Sequence, residues 1–269
     1  MSINREIFFA SASAAPFSEH LAEDQMSGLQ AILSHWETFP ENLDERHLAY
    51  MLATVYHETG RRFMPVREGF ASSDAEARKI VENRPYGKPD ANGHVYYGRG
   101  FVQITWRDNY KRIGDLIGVD LVDNPDLALN LDVATRILFQ GMTRGLFTGK
   151  KLTDYFNSSR DDPVGARAII NINDKAELIA GYHQAFLAAI HAAQAPDAQT
   201  AQSPFGIPQI WTGAATAASG LITAVLATLE SPWALGALVV LAVGLAVFLH
   251  GHRASRQHEQ AREPSSQAS

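Results

Sequence analysis

The chain has 269 residues, of which 46% are hydrophobic, which is enough for one large or two small domains with a substantial core. Its formal net charge of −6 gives no reason to expect a nucleic-acid partner. The sequence contains no cysteine, and this excludes disulfides, thiolate catalysis and zinc–thiolate sites.

Helical periodicity dominates the N-terminal part of the chain. A first helix is expected from a cap near Asn4, because the apolar run 7–10 is shorter than the roughly 7–15 residues of a signal-peptide core. Apolar residues at helical spacing predict a second helix over 21–36. A third begins at the capping box 42–45, with Asn42 as the cap, and ends at Gly60.

Helix caps and turn-forming residues predict the boundaries of the elements that follow. A capping box at 73–76 predicts a helix through Val81. Residues 83–93 are rich in turn formers, and Asn92-Gly93 favours a tight β-hairpin turn that leads into a strand pair over 94–104. Further scaffold helices are expected over 132–146, after the cap at 161–163, and from Asp174.

Two carboxylates stand ten residues apart in the middle of this region. Glu58 falls in the last turn of the third helix, at the edge of its apolar stripe, where burial favours the protonated form that a general acid needs. Glu68 follows on a loop, where an adjacent or facing arginine such as Arg67 would keep it ionised. Such a pair suits hydrolysis of a glycosidic bond, but an acid in a last helical turn is also commonly an ordinary solvated charge. A zinc-protease HExxH motif is excluded, because Arg61 stands where the second histidine is required.

A polar series follows the two acids. Gln103 lies on an apolar stretch and needs a hydrogen-bond partner if it is buried. Thr105 is a candidate cap for the next helix and can face a cleft as well, and Asn109 follows it by one helical turn. Tyr97, with Tyr96, is a candidate for stacking on sugar rings, and packing within the strand is the alternative.

The motifs YHETG at 56–60, REGF at 67–70, and YYGRGFVQIT at 96–105 with NY at 109–110 resemble glycoside hydrolase family 19. That family includes plant and bacterial chitinases and the lysozyme-like endolysins of bacteriophages, and this chain is most similar to the shorter phage and bacterial branch. The resemblance runs over about residues 4–193. It implies an all-α, or mainly α, bilobal domain, an enzyme that inverts the anomeric centre, and no cofactor or metal.

The resemblance also implies roles for individual residues. Glu58 matches the general acid, and Glu68 matches the base that activates water. The residues matching those that hold sugar and water are Gln103, Thr105, Asn109 and, in the AIIN motif, Asn171. The glycine pair that usually follows that asparagine is replaced by Ile172-Asn173, which sets the local loop apart from the family pattern.

The C-terminal part differs in composition. Residues 176–252 contain no lysine or arginine, and 232–249 are 18 residues without any charge. That length just spans a bilayer core, and the arginines after it place the tail in the cytoplasm. The predicted organisation is a hydrolase domain over 1–195, a linker over 196–209, a membrane segment over 210–250 and a polar tail over 251–269. One span at 232–249 is preferred, and a second apolar helix at 210–229 would make a hairpin.

The sequence therefore predicts a peptidoglycan-degrading glycoside hydrolase that is anchored in the inner membrane, faces the periplasm and serves lysis of a bacterial host. Peptidoglycan is preferred to chitin because a membrane tether places the enzyme beside the cell wall. Three alternatives stay open: a chitinase, a lytic transglycosylase with one catalytic acid, and a membrane lysis protein with an inactive hydrolase domain.

Overall fold

The computed structural model describes residues 2–41, 43–171 and 174–194. Within them the protein is mainly helical, which confirms the predicted class; the bilobal arrangement stays a prediction. The α-helices are α1 Arg5–Ala12, α2 Glu23–Thr38, α3 Glu45–Glu58, α4 Asp74–Val81, α5 Arg107–Ile117, α6 Leu131–Arg144 and α7 Ala176–Gln194. The strands are β1 Val66–Arg67 and β2 Arg99–Gly100, and short 3-10 turns lie at Glu68–Phe70, Pro85–Gly87, Pro125–Leu129, Leu152–Asp154 and Gly165–Ile169.

Helix α3 lies at the centre of the core. Every residue from His47 to Tyr56 is buried, so the helix is covered on all sides. It packs mainly against α7, which also packs against α1, while α6 packs against α2 and α5. The C-terminal end of this central helix carries Glu58, so the core fixes the position of the first candidate acid.

The helix caps agree with the sequence in part. Asn4 caps α1 by accepting from the Ile7 N–H, and Ser73 caps α4 by accepting from the Glu76 N–H, both as predicted. Helix α3 begins later than expected, because Asp44 accepts from the Arg46 N–H and the His47 imidazole closes the reciprocal contact to the Asp44 N–H. Asp44, rather than Asn42, is therefore the cap.

The predicted β-hairpin is wrong. Asn92-Gly93 does form a tight turn. The Gly93 N–H donates to the Asp90 carbonyl and the Asp90 N–H donates to the His94 carbonyl, but no strands flank the turn. The two-stranded antiparallel sheet instead joins β2 to β1, with Val66 opposite Gly100. The partner strand lies too far away in sequence for a turn signal to reveal it.

Towards the C-terminus, the helix expected after a cap at 161–163 is replaced by the short 3-10 turn Gly165–Ile169, whose N-cap is Val164. Asp162 accepts from the Gly165 N–H at 2.7 Å, just before that turn. Among the described residues, no helix has the length and apolar character needed to cross a membrane. The predicted linker, membrane segment and tail lie outside the described residues.

Candidate active site

Glu58 is the last residue of α3, and a tight left-handed turn ends the helix directly after it. Gly60 adopts φ +56°, its N–H donates to the His57 carbonyl at 3.1 Å, and the Arg61 N–H donates to the Tyr56 carbonyl at 2.7 Å. This is a Schellman motif, and Gly60 ends the helix as predicted. The turn fixes the direction in which the Glu58 side chain leaves the core.

The partner of Glu58 is a buried arginine that sequence reasoning missed. Arg167 Nη1 donates to Glu58 Oε1 at 2.6 Å, and the Arg167 side chain is only 4% exposed. Its Nε also donates to the Asp174 carbonyl at 2.8 Å, so the guanidinium is held from two directions. Glu58 is half-buried as predicted, but a cation rather than an apolar surface is the group that contacts its carboxylate.

His57 lies beside this ion pair. Burial lowers the pKa of its imidazole below the usual 6.5, and the nearby Arg167 guanidinium contributes in the same direction, against the opposing effect of Glu58. The imidazole is therefore neutral at neutral pH, which leaves Arg167 as the cation next to the carboxylate.

Glu68 begins the 3-10 turn that follows β1, and its carboxylate is held by two neutral donors. The Tyr86 hydroxyl donates to Oε1 at 2.6 Å, and the Gly98 N–H donates to Oε2 at 2.8 Å. Burial, together with this hydrogen bond, raises the pKa of Tyr86 to about 12, so its hydroxyl remains a donor at neutral pH. The arginine expected beside Glu68 is engaged elsewhere, because Arg67 pairs with Asp126 at 2.8 Å.

Gln103 lies next to Glu68 at the sheet. A Cβ placed on Gly98 would lie 2.8 Å from Gln103 Oε1 and 3.3 Å from Glu68 Oε2, so both oxygens face the same small space above that glycine. Gln103 Nε2 donates to the carbonyls of Val66 and Gly100, one on each strand. These backbone carbonyls supply the hydrogen-bond partners that a buried Gln103 was predicted to need.

Thr105 and Asn109 continue this network, but Thr105 is not a helix cap. Its hydroxyl donates to the Gln103 carbonyl at 3.0 Å, and the cap position of α5 is occupied by Trp106. Asn109 Nδ2 donates to the Thr105 carbonyl at 2.7 Å. The structure thus joins Glu68, Gln103, Thr105 and Asn109 in one connected polar group.

Tyr97 does not reach this surface, so the prediction that it stacks on sugar is wrong in this structure. Its side chain is 0% exposed, its hydroxyl donates to Asp74, and the Arg99 guanidinium lies 3.5 Å from its ring centroid. Arg99, itself 1% exposed, also donates to Asp126 and to the Tyr110 hydroxyl. The packing interpretation of Tyr97 is therefore the one that fits, since its ring is buried against Arg99 of β2.

The remaining candidate, Asn171, is exposed and follows Arg167 by one turn, with its N–H donating to the Arg167 carbonyl at 3.0 Å. It therefore belongs to the segment that supplies the partner of Glu58. The turn after Glu58 and the turn that starts at Glu68 touch, because a Cβ on Gly60 would lie 3.1 Å from the Phe70 ring. An inverting enzyme needs roughly 6.5–9.5 Å between its two carboxyls, and for Glu58 and Glu68 this separation is an expectation.

Two carboxylates with different partners beside polar side chains are groups of the kind that hydrolysis of a glycosidic bond uses. The model of the family described as chitinase class I, glycoside hydrolase family 19, matches residues 34–143. Residues 34–143 are therefore similar to a glycoside hydrolase family 19 domain, in agreement with the predicted class of enzyme. The match includes Glu58, Glu68, Gln103, Thr105 and Asn109.

Relatives of known identity agree with that family. A basic endochitinase of Vitis vinifera is 38% identical over 89 residues, which are 31% of this chain and 28% of the relative. Endochitinase A2 of Pisum sativum is 59% identical over 39 residues, or 14% of this chain and 12% of the relative. The matches thus cover less than a third of either plant protein. Chitinase C from Streptomyces griseus HUT6037 is similar in structure, with a TM-score of 0.49 and 23% identity over 72% of this chain and 79% of that one.

Proposed function

We propose that this protein hydrolyses β-1,4 bonds next to N-acetylated sugars by an inverting mechanism with Glu58 as general acid and Glu68 as general base. The observation that carries the proposal is the contrast between the two carboxylates. Glu58 is paired with a buried cation, whereas Glu68 accepts only from a hydroxyl and a backbone N–H. The two groups thus lie in different electrostatic surroundings, and the acid role of Glu58 follows from its match to the general acid of the family motif.

In this mechanism Glu58 gives its proton to the glycosidic oxygen as the bond from that oxygen to the anomeric carbon breaks. Glu68 takes a proton from a water molecule that attacks the same carbon from the opposite face, and Thr105 helps to hold that water. The proposal places the proton on Glu58 Oε2, because Oε1 accepts from Arg167. Arg167 stabilises the carboxylate that remains on Glu58 after transfer.

Peptidoglycan is the proposed substrate, and lysis of a bacterial host the proposed role. The support is the uncharged segment 232–249 with arginines after it, which would anchor the enzyme in the inner membrane with its catalytic domain on the periplasmic side. The second candidate is chitin, because the relatives that match this chain are named endochitinases. Both polymers contain the same type of β-1,4 bond next to an N-acetylated sugar.

The test is digestion of purified sacculi and, separately, of chitin oligomers by the full chain, with mass spectrometry of the products. Glu58→Gln and Glu68→Gln are compared with wild type, and Glu177→Gln, an exposed acid in the first turn of α7, is the matched control. We expect new reducing ends from wild type and the control, and none from either site variant. NMR of the first products should show the inverted anomer.

Other products would support other functions. Anhydro-sugar fragments, with Glu68→Gln still active, would replace the hydrolase by a transglycosylase. Activity on chitin with none on sacculi would favour the chitinase. No product from either polymer would contradict the proposed activity and leave a membrane lysis protein with an inactive domain.

A further inference from the structure

Two aromatic side chains break the rule that the aromatic residues of this domain are covered. Trp106 and Phe70 are each 49% exposed, and no other aromatic side chain in the described part of the chain is classed as exposed. A large apolar ring left in water is informative when it lies beside a functional site. The Trp106 ring contacts Tyr86, which hydrogen-bonds to Glu68, and the Phe70 ring lies beside Gly60 in the turn after Glu58.

Trp106 is connected to Glu68 through Tyr86. The Trp106 and Tyr86 rings meet edge to face at 5.4 Å, and the Tyr86 hydroxyl donates to Glu68 Oε1. Trp106 also directly follows Thr105 in the polar network. The exposed Trp106 ring therefore packs against the residue that hydrogen-bonds to the proposed base.

Phe70 lies near the turn that follows Glu58. It is two residues after Glu68, and its ring packs against Gly60, two residues after Glu58. The Arg62 guanidinium lies 4.5 Å from the Phe70 ring centroid and covers one side of it. The ring thus sits where the turns that carry the two carboxylates touch.

Both residues also adopt a backbone conformation that aromatic residues rarely take. Trp106 has φ +75° and Phe70 has φ +58°, and a bulky side chain in this region costs stability. The surrounding backbone imposes the conformation on Trp106, since its N–H donates to the Tyr96 carbonyl at 2.9 Å. Glycine would fit both positions without strain, so exposure and strain together indicate side chains kept for something other than folding.

We propose that Trp106 and Phe70 are two sugar-stacking surfaces of the site, one linked to the proposed base through Tyr86 and one where the turns that carry the two acids meet. The inference rests on the proposed function and extends it to substrate binding. The apolar C–H face of a pyranose ring packs on an exposed aromatic face, and burying such a ring on binding is favourable. The two residues would position successive sugars of a β-1,4-linked N-acetylated glycan against Glu58 and Glu68.

The test compares Trp106→Gly and Phe70→Gly with Trp106→Phe and Phe70→Tyr in the full chain, and Leu178→Ala serves as the control. Leu178 is 44% exposed on α7 and is not part of the site. KM and kcat are measured on a soluble β-1,4-linked N-acetylated glycan that the wild type cleaves, and thermal unfolding is followed in parallel. We expect each glycine variant to raise KM about tenfold, the aromatic replacements to stay near wild type, and the control to change nothing.

The thermal data separate this role from a structural one. Glycine relieves the positive φ, so both glycine variants should unfold at or above the wild-type temperature while binding substrate more weakly. A lowered Tm with KM unchanged would overturn the proposal and make the rings packing residues. If the wild type cleaves neither sacculi nor chitin, the proposed function itself fails and this inference fails with it. If the wild type is active but the glycine variants keep the wild-type KM, only the stacking role is refuted.

Discussion

Replacing Glu58 by glutamine should destabilise the domain as well as inactivate it. The variant keeps the size of the side chain but leaves Arg167, 4% exposed, without its carboxylate partner. Breaking a buried ion pair by neutralising one member costs about 3–5 kcal/mol. The lower end applies here, because Glu58 is 17% exposed and the Asp174 carbonyl still accepts from Arg167.

A loss of about 3 kcal/mol in the free energy of unfolding should lower Tm by about 6–12 °C in a domain of this size. The measurement is thermal unfolding of the full chain at pH 7, followed by circular dichroism. The double variant Glu58→Gln/Arg167→Met removes both members of the pair and should recover most of the loss, because no uncompensated buried charge remains. With the single variant Arg167→Met added, these proteins give a double-mutant cycle.

A Glu58→Gln Tm within about 2 °C of wild type would refute this reasoning, since it would mean that Arg167 does not depend on the carboxylate. A double variant less stable than both single variants would refute it as well. Added salt is a useful control, because a pair this buried is screened much less than an exposed pair.

Three further outcomes follow from other parts of the site and core. Tyr86→Phe removes the 2.6 Å hydrogen bond to Glu68 and should lower kcat about tenfold with Tm nearly unchanged, as measured by steady-state kinetics and thermal unfolding. Gly98→Ala should also lower kcat, because the new Cβ would lie 2.8 Å from Gln103 Oε1. Burial lowers the pKa of His183 below 6.5, so the unfolded chain binds the proton more readily and stability falls as pH drops below that value. His183→Phe should therefore show a smaller loss of Tm between pH 7.5 and 5 than wild type.

Local chemistry made much of the fold predictable. Periodicity and caps located α1, α2, α3 and α4, because the residues that set a helix end lie within one turn of it. The error at α3 is of the same local kind: Asn42 and Asp44 are both good caps, and the nearby His47 completes the contact only for Asp44.

Long-range partners were not predictable from local patterns. Arg167 is 109 residues from Glu58 in the chain, and β1 pairs with a strand more than 30 residues away. Which aromatic ring is covered depends on such partners: Tyr97 is buried against Arg99, whereas the Trp106 ring is exposed. One local signal was available for the latter: Trp106 directly follows the motif that supplies Gln103 and Thr105.

The position of Glu58 explains why a distant arginine is needed at all. Partial negative charge collects at the C-terminal end of a helix, where carbonyls lack partners, so a carboxylate there is unfavourable. Glu58 is the last residue of a helix that is buried along most of its length, and no neighbouring residue in sequence offers it a buried cation. The 3-10 turn Gly165–Ile169 brings Arg167 to this helix end, where its charge offsets both the carboxylate and the helix dipole. The same guanidinium is thus in place to stabilise the carboxylate that the proposed mechanism leaves on Glu58.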